Sequence, residues 1–277
     1  MSAIDQMFRQ LRADGRKAFM PFITAGDPDL AFTGDVLRLL ASRGCHMGEV
    51  GIPYSDPIAD GPVIQASFTR ALSAHVGLEQ IMRAATSLTP SLPMPLVTMV
   101  SYAIVYRHGL ETFVASARAA GFAGTIVPDL PIEESGPLAR ICRQEDFSLI
   151  HLVTPTTPFD RARRIADASS GFLYYVSVTG ITGERSSLPA HVGEHVLRLR
   201  EATPLPVCVG FGISTPEHVR LLAPVADGLI VGSALVRRIA EAASRPRADV
   251  LQDIQSFADE LLAALPGGPA APPRAVP

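Results

Sequence analysis

Eight short apolar segments, each followed by a stretch of helical periodicity, run through the sequence. They begin near residues 19, 47, 95, 123, 147, 172, 205 and 228. Strands that alternate with helices predict a parallel sheet of the α/β class, because each helix carries the chain back to the edge where the next strand starts. A count of eight favours a closed barrel over an open doubly wound sheet, and 277 residues are enough for one such domain. We therefore predict a (β/α)8 TIM barrel.

The two ends of the chain depart from this repeat. Residues 4–12 place apolar side chains on one helical face before the first strand, which predicts an extra N-terminal helix. Residues 266–277 are rich in Pro and Gly and cannot pack a core, which predicts a disordered tail. We expect residues 1–265 to form a single domain.

The stretch from Met47 to Asp60 carries acids at the carboxyl end of the second predicted strand, where barrels of this kind place their active sites. Glu49 belongs to an apolar run that predicts a buried strand. A buried carboxyl titrates above its solution value, which suits proton transfer near neutral pH. Asp60 follows in a proline-stiffened loop, which loses less entropy when its side chain is aimed at a substrate. The alternative for Glu49 is a cap that accepts hydrogen bonds from loop backbone N–H groups.

Glycine-rich loops follow the last three predicted strands. They contain Gly180 and Gly183, then Gly210 and Gly212, then Gly232 with Ser233 at the start of a helix. Glycine lets backbone N–H groups approach an anion, and a helix N-terminus adds a favourable dipole. Phosphate sites on the seventh and eighth loops recur in this fold, so these loops together predict a phosphate site. Glycines that only turn the chain are the alternative.

Composition excludes several classes of partner. The net charge of −3 and the pI near 6.2 provide no basic footprint for nucleic acid. The N-terminus lacks the apolar core of a signal peptide, and no apolar run is long enough to span a bilayer. We therefore expect a cytoplasmic protein without a membrane partner. Its three cysteines lie far apart without a CxxC spacing, which predicts buried free thiols in a reducing compartment.

Two kinds of aldolase find little support. A Schiff-base enzyme needs a lysine on an inner strand, and the only lysine, Lys17, precedes the first strand. A metal enzyme needs clustered ligands, and His191 and His195, although spaced i, i+4, have no third ligand beside them. We expect no metal site. A catalytically silent barrel serving as a regulatory subunit is a further alternative, but it would need neither Glu49 nor Asp60.

Six motifs resemble the tryptophan synthase alpha subunit family. They are Pro21–Pro28, Gly51–Gln65, Val127–Glu134, Tyr174–Gly183, Gly210–Ser214 and Val231–Leu235, in the order that the barrel requires. The resemblance implies a carbon–carbon lyase of tryptophan biosynthesis that cleaves indole-3-glycerol phosphate to indole and glyceraldehyde 3-phosphate. It also implies that this chain needs no cofactor, and that a beta subunit containing PLP receives the indole through a tunnel.

The same resemblance assigns roles to matched positions. Glu49 would be the general acid/base, Asp60 would hold the indole N–H, and Thr182 on the sixth loop would close over the site and orient Asp60. Phe22 and Ile64 would line the indole pocket, with Tyr174 beside the two acids. The phosphate would be held by Gly183, Phe211, Gly212, Gly232 and Ser233.

One segment departs from the family pattern. After the third strand the family usually has Tyr-Asn-Pro, and here Ala103 and Ile104 stand at the Asn and Pro positions. The resemblance places this turn against the beta subunit. We expect a looser, more apolar turn and weaker binding of that partner, since alanine lacks the amide and isoleucine does not fix φ. A stand-alone lyase that releases free indole is therefore an alternative to a synthase subunit.

Overall fold

The strands of the protein form a single parallel sheet. The computed structural model describes residues 2–57, 60–177, 192–210 and 212–267. Within these residues the strands are β1 (Ala18–Thr24), β2 (Gly48–Gly51), β3 (Leu96–Met99), β4 (Phe122–Ile126), β5 (Ser148–Ile150), β6 (Leu152–Val153), β7 (Leu173–Val176), β8 (Val207–Gly210) and β9 (Gly228–Val231). Their order is β5-β4-β3-β2-β1-β9-β8-β7-β6, and every neighbouring pair is parallel.

The fifth predicted strand is divided in two, and this division closes the barrel. Only His151 separates β5 from β6, yet β5 pairs with β4 while β6 pairs with β7. The N–H of Tyr174 donates to the carbonyl of His151 across the join (3.1 Å). One continuous stretch of chain therefore borders both ends of the sheet. The predicted barrel is confirmed, and its eight predicted strands appear as nine segments because the fifth changes its neighbour partway.

Helices surround the sheet. In the described residues they are α1 (Ala3–Ala13), α2 (Leu30–Ser42), α3 (Pro62–Ser73), α4 (Leu78–Leu88), α5 (Tyr102–His108), α6 (Leu110–Ala119), α7 (Gly136–Gln144), α8 (Phe159–Ala168), α9 (Val192–Ala202), α10 (Pro216–Leu222), α11 (Ser233–Ala240) and α12 (Arg247–Ala263). Short 3₁₀ turns occupy Thr89–Ser91, Ile132–Glu134 and Glu241–Ala243. No helix in this part of the chain is long and apolar enough to cross a membrane.

The predicted N-terminal helix is present as α1 and closes the amino end of the barrel. Ser2 and Asp5 form a reciprocal capping box that satisfies free N–H groups of its first turn. Its buried face, Ile4, Phe8 and Leu11, joins the apolar cluster inside the barrel. The rings of Phe8 and Phe172 lie 5.9 Å apart. Phe172 directly precedes the first residue of β7. Because α1 covers the amino end, a ligand can enter the barrel only at its carboxyl end.

The segment after β3 corrects the expectation of a loose turn. Ala103 and Ile104 lie in the first turn of α5. The Asp129 carboxylate accepts hydrogen bonds from the Tyr102 N–H (2.7 Å) and the Ser101 hydroxyl (2.7 Å), and Ser101 Oγ accepts from the Ala103 N–H (3.3 Å). These acceptors stabilise a helix N-terminus, which is why the segment is ordered as a helix. Weaker partner binding stays a prediction.

Other expectations concern residues on or near the strands. Cys45, Cys142 and Cys208 are buried free thiols, as predicted. Tyr175 packs outward into the layer between sheet and helices, opposite in direction to Tyr174, because side chains alternate along a strand. Residues 268–277, most of the predicted disordered tail, lie outside the described residues, as does His191.

Candidate active site

One cavity of about 520 Å³, including its open mouth, lies at the carboxyl ends of the strands. The residues that line it come from four strands (β1, β2, β3 and β7), from the loops after β2, β8 and β9, and from the starts of α3 and α11. They are Phe22, Glu49, Asp60, Ile64, Met99, Tyr174, Gly212, Ile213, Gly232, Ser233 and Ala234.

Most residues predicted for the site meet at this cavity. The eight that do are Glu49, Asp60, Phe22, Ile64, Tyr174, Gly212, Gly232 and Ser233. Three others, Thr182, Gly183 and Phe211, lie outside the described residues, together with the whole sixth loop. The structure thus brings the described members together, and the roles assigned to individual residues stay predictions.

Three lining residues were absent from the prediction. Met99 is the last residue of β3, and strand alternation counted back from that carboxyl end could have identified it. Ile213 and Ala234 directly follow Gly212 and Ser233, which were predicted to bind phosphate. Nothing in the sequence marked Ile213 and Ala234 themselves as lining residues. Each adds an apolar surface to the pocket.

Strand β2 carries Glu49 into the barrel interior at the level of Phe22 and Val97. The glutamate is 2% exposed, and its Oε1 atom has no hydrogen-bond partner among the described residues. Burial, and then the nearby charge of Asp60, raise the pKa of Glu49 to about 8. The carboxyl is therefore protonated at neutral pH, and it can donate a proton into the cavity.

Two glycines make room for the aromatic walls. A Cβ on Gly51 would lie 2.6 Å from Cζ of Phe22, and one on Gly210 would lie 2.5 Å from the ring and hydroxyl of Tyr174. Each aromatic ring therefore leans over a neighbouring strand at a place where only glycine fits. Phe22 and Tyr174 both line the cavity together with Glu49.

A network of short-range hydrogen bonds holds the loop that carries Asp60. Gln65 Nε2 donates to the carbonyls of Asp60 (2.7 Å) and Pro57 (3.1 Å), and the Tyr54 hydroxyl donates to Asp60 Oδ2 (3.2 Å). Burial raises the pKa of Asp60 to about 6, the Tyr54 hydrogen bond opposes that rise, and the charge of Asp129 adds to it. Asp60 is therefore mostly ionised at neutral pH.

The two carboxyl groups of the cavity differ in protonation state. Between about pH 6 and pH 8 Glu49 is protonated and Asp60 is ionised. Environments that push the pKa values of neighbouring acids apart assign one as proton donor and the other as charge stabiliser. The site can therefore give a proton to one atom of a ligand and stabilise positive charge on another.

The opposite wall of the cavity presents backbone rather than charge. Gly212 has φ +79°, a left-handed conformation that favours glycine. Gly232 caps α11, and Ser233 and Ala234 form its first turn, where N–H groups have no acceptor within the helix. A helix N-terminus of this kind favours an anion.

In the described part of the chain, the groups that the two other aldolase chemistries would need do not line the cavity. The amine of Lys17 donates to the carbonyl of Ala226 (2.7 Å) at the amino end of the barrel, away from the cavity. Within the described residues no group of three or more His, Cys, Asp or Glu side chains could hold a metal ion. Asp129, in the loop after β4, caps α5 and does not line the cavity.

The comparisons with known proteins agree on one family. Residues 8–265 match the family model described as tryptophan synthase alpha chain. The tryptophan synthase alpha chain of Rhodopirellula baltica is 52% identical over 263 residues, which are 94% of this chain and 95% of that protein. The crystal structure of tryptophan synthase subunit alpha from Legionella pneumophila is similar with a TM-score of 0.87 at 33% identity, and covers 95% of this chain and 98% of that one. A chain of the tryptophan synthase complex from Pyrococcus furiosus has a TM-score of 0.81 at 34% identity, with coverage of 90% and 99%.

Proposed function

The chain belongs to the tryptophan synthase alpha chain family, and from that premise we propose that Glu49 and Asp60 perform its reaction in the cavity at the carboxyl end of the barrel. The protein is a carbon–carbon lyase of tryptophan biosynthesis that cleaves indole-3-glycerol phosphate to indole and glyceraldehyde 3-phosphate. The observation that carries the residue assignment is a pair of buried acids on one cavity, with pKa values on either side of neutrality.

The reaction needs two proton movements and one stabilised charge. The bond between indole C3 and the glycerol chain breaks when C3 receives a proton, which places a positive charge on the indole ring. The hydroxyl on the adjacent carbon loses its proton, and that carbon becomes the aldehyde of glyceraldehyde 3-phosphate. The electron pair of the broken bond returns to the indole ring, so that indole leaves neutral.

We assign both proton movements to Glu49. Its protonated form donates to indole C3, and the carboxylate that remains accepts the hydroxyl proton, which restores the starting state. A pKa near 8 keeps the acid form present at neutral pH, where a positioned general acid contributes about 10²–10⁴-fold. The Oε1 atom has no hydrogen-bond partner among the described residues, which is consistent with a group whose partner is the substrate.

Asp60 stabilises the charge that develops on the indole. Ionised and held by its loop, it would accept the indole N–H and attract the positive ring. The apolar surfaces that Phe22, Tyr174 and Ile64 contribute to the cavity suit the apolar indole ring. We place the phosphate at the backbone wall formed by Gly212, Gly232 and Ser233.

We propose that the chain needs no cofactor of its own and works with a beta subunit that contains PLP, in the cytoplasm. Helix α5 supports a docking role, because Tyr106 is 71% exposed and its ring lies 6.0 Å from that of Tyr102. Exposed aromatic side chains of this kind are typical of interface cores. Ala103 and Ile104 lie in the same helix, so this face is where the sequence departs from the family pattern.

Indole release by the purified chain tests the proposal. We expect release from indole-3-glycerol phosphate by the chain alone and faster release with a beta subunit. Loss of release in Glu49→Gln and Asp60→Asn, with folding retained, would support the assignment. Full activity in both variants would contradict it, and a wild-type chain that binds a beta subunit without releasing indole would indicate a silent regulatory barrel instead.

A further inference from the structure

Tyr54 lies against the loop acid of the site without lining the cavity itself. It is half-buried between β2 and α3, and its hydroxyl lies 3.2 Å from Asp60 Oδ2. Its ring packs on the fully buried Phe68, with ring centroids 5.4 Å apart and planes tilted by 52°. The ring is therefore held by packing, and that packing fixes the hydroxyl over the carboxylate.

The direction of this hydrogen bond follows from the two groups. Burial beside Asp60 raises the pKa of the Tyr54 phenol above its ordinary value, so the phenol keeps its proton. An ionised carboxylate can only accept, so Tyr54 donates. A hydrogen bond to the charged form is stronger than one to the neutral acid, and it therefore favours ionisation of Asp60.

Among the described residues, no other charged or titratable neighbour of Asp60 favours its ionised form. Glu49 on β2 and Tyr174 on β7 are neutral at neutral pH, because burial raises the pKa of both. Asp129, in the loop after β4, carries a like charge that opposes ionisation of Asp60. In the described portion of the chain Asp60 forms no ion pair with a basic side chain. Tyr54 is thus the described side chain whose hydrogen bond favours the ionised form.

We propose that Tyr54 is a positioning residue that holds the Asp60 carboxylate ionised and aimed at the ligand. The inference rests on the proposed role of Asp60 as charge stabiliser. It assigns to Tyr54 no contact with the reacting atoms. Its effect is to extend activity toward lower pH, because the carboxylate keeps its charge there.

The test is the pH dependence of kcat and kcat/KM for indole-3-glycerol phosphate in Tyr54→Phe, measured with the full chain between pH 5 and pH 9. Phenylalanine keeps the ring on Phe68 and removes only the donor. We expect the acidic limb of both profiles to move upward by about one pH unit, so that activity on that limb falls about tenfold. The deficit should shrink as pH rises, and kcat should change more than KM.

Tyr175→Phe is the matched control, because it removes the same hydroxyl from a ring of β7 that points outward, away from the cavity. We expect it to keep the wild-type profile. An acidic limb that stays in place in Tyr54→Phe, or a loss of equal size at every pH, would overturn the inference in favour of a packing role.

Asp60→Asn separates this inference from the proposed function. If Asp60→Asn keeps the wild-type kcat and acidic limb, the proposed role of Asp60 is wrong and the inference falls with it. If Asp60→Asn loses kcat and the limb while Tyr54→Phe behaves as wild type, the inference alone is wrong. Adding Tyr54→Phe to Asp60→Asn should cause no further loss, and a further loss would contradict action through Asp60.

Discussion

Glu49 is an acid that the barrel buries almost completely. Its Oε1 atom has no hydrogen-bond partner among the described residues, and an unsatisfied buried polar group costs on the order of 1–3 kcal/mol. Such a cost is consistent with a group whose partner is a ligand. Two predictions at the residue scale follow from its burial, and one from its neighbour Asp60.

Glu49→Gln should retain the fold and lose about 10²–10⁴-fold in kcat, because the amide keeps the shape and cannot donate the proton. Indole release measures kcat, and thermal unfolding checks the fold. Glu111→Gln, on the exposed first turn of α6, is the matched control and should keep wild-type turnover. Near-normal turnover of Glu49→Gln would remove Glu49 from the mechanism.

Stability should depend on pH through the same group. The pKa of Glu49 is about 8 in the fold and near 4.5 unfolded, so its stabilising contribution is complete below pH 4.5 and is lost as pH rises through 8. Glu49→Gln should therefore gain stability relative to wild type between pH 5.5 and pH 8.5, on the order of a few kcal/mol at about 1.4 kcal/mol per pKa unit. Urea unfolding at both pH values measures this gain, and an equal difference at the two would contradict it.

The wild-type pH profile should be bell-shaped, because activity needs Asp60 ionised and Glu49 protonated. The limbs should lie near pH 6 and pH 8, as macroscopic values of the interacting pair. Asp60→Asn should lower kcat and remove the acidic limb. A change in KM alone would assign Asp60 to substrate binding instead.

At the scale of elements, the start of α11 and the loop after β8 act together as a backbone wall. Gly212→Val and Ser233→Asp should both weaken binding of glycerol phosphate, the first through bulk at a left-handed φ and the second through like charge. Calorimetry measures the binding. Ser244→Asp, on an exposed turn, is the control for added charge. Unaltered binding in both site variants would place the anion elsewhere.

Helix α5 is the element on which partner binding should depend. Ala103→Asn with Ile104→Pro should tighten binding of a generic beta subunit by about 1–2 kcal/mol and raise activation, because interface energy is concentrated in a few residues. Proline is tolerated in a first helical turn, so α5 should persist. Titration of a beta subunit while indole release is measured checks both effects. Strong activation of the unmodified chain by a generic beta subunit would contradict the prediction.

At the scale of the whole molecule, the amino end of the barrel contributes to stability and the carboxyl end carries the candidate active site. Helix α1 fills the amino end, and the cavity occupies the carboxyl end. Phe8→Ala should lower the free energy of unfolding by about 3–5 kcal/mol, since a buried aromatic ring is lost. Activity of the folded fraction should persist. Arg9→Ala, on the exposed face of the same helix, should change stability little, and an equal loss in both variants would contradict the account.

Many features of the fold and of the cavity could be predicted from patterns among residues that are near in the chain. Eight short apolar segments that alternate with helical periodicity predicted the barrel. Side chains alternate along β7, so Tyr174 points inward and Tyr175 outward. Glu49 was identified because an acid in an apolar run at the carboxyl end of a strand predicts a buried carboxyl suited to proton transfer, with Asp60 as a second acid nearby. The seven-residue α5 was missed, because its N-terminal acceptor, Asp129, comes from another loop.

Periodicity and turn chemistry act between residues that are near in the chain, so the order of elements and the two acids of the cavity could be predicted from residues alone. Contacts between distant segments could not. Whether Tyr54 reaches Asp60, whether Phe22 lies over Gly51, and how far apart the two acid pKa values move all depend on the register and closure of the barrel. These properties arise from burial and from groups on neighbouring strands, which become neighbours only when the sheet closes.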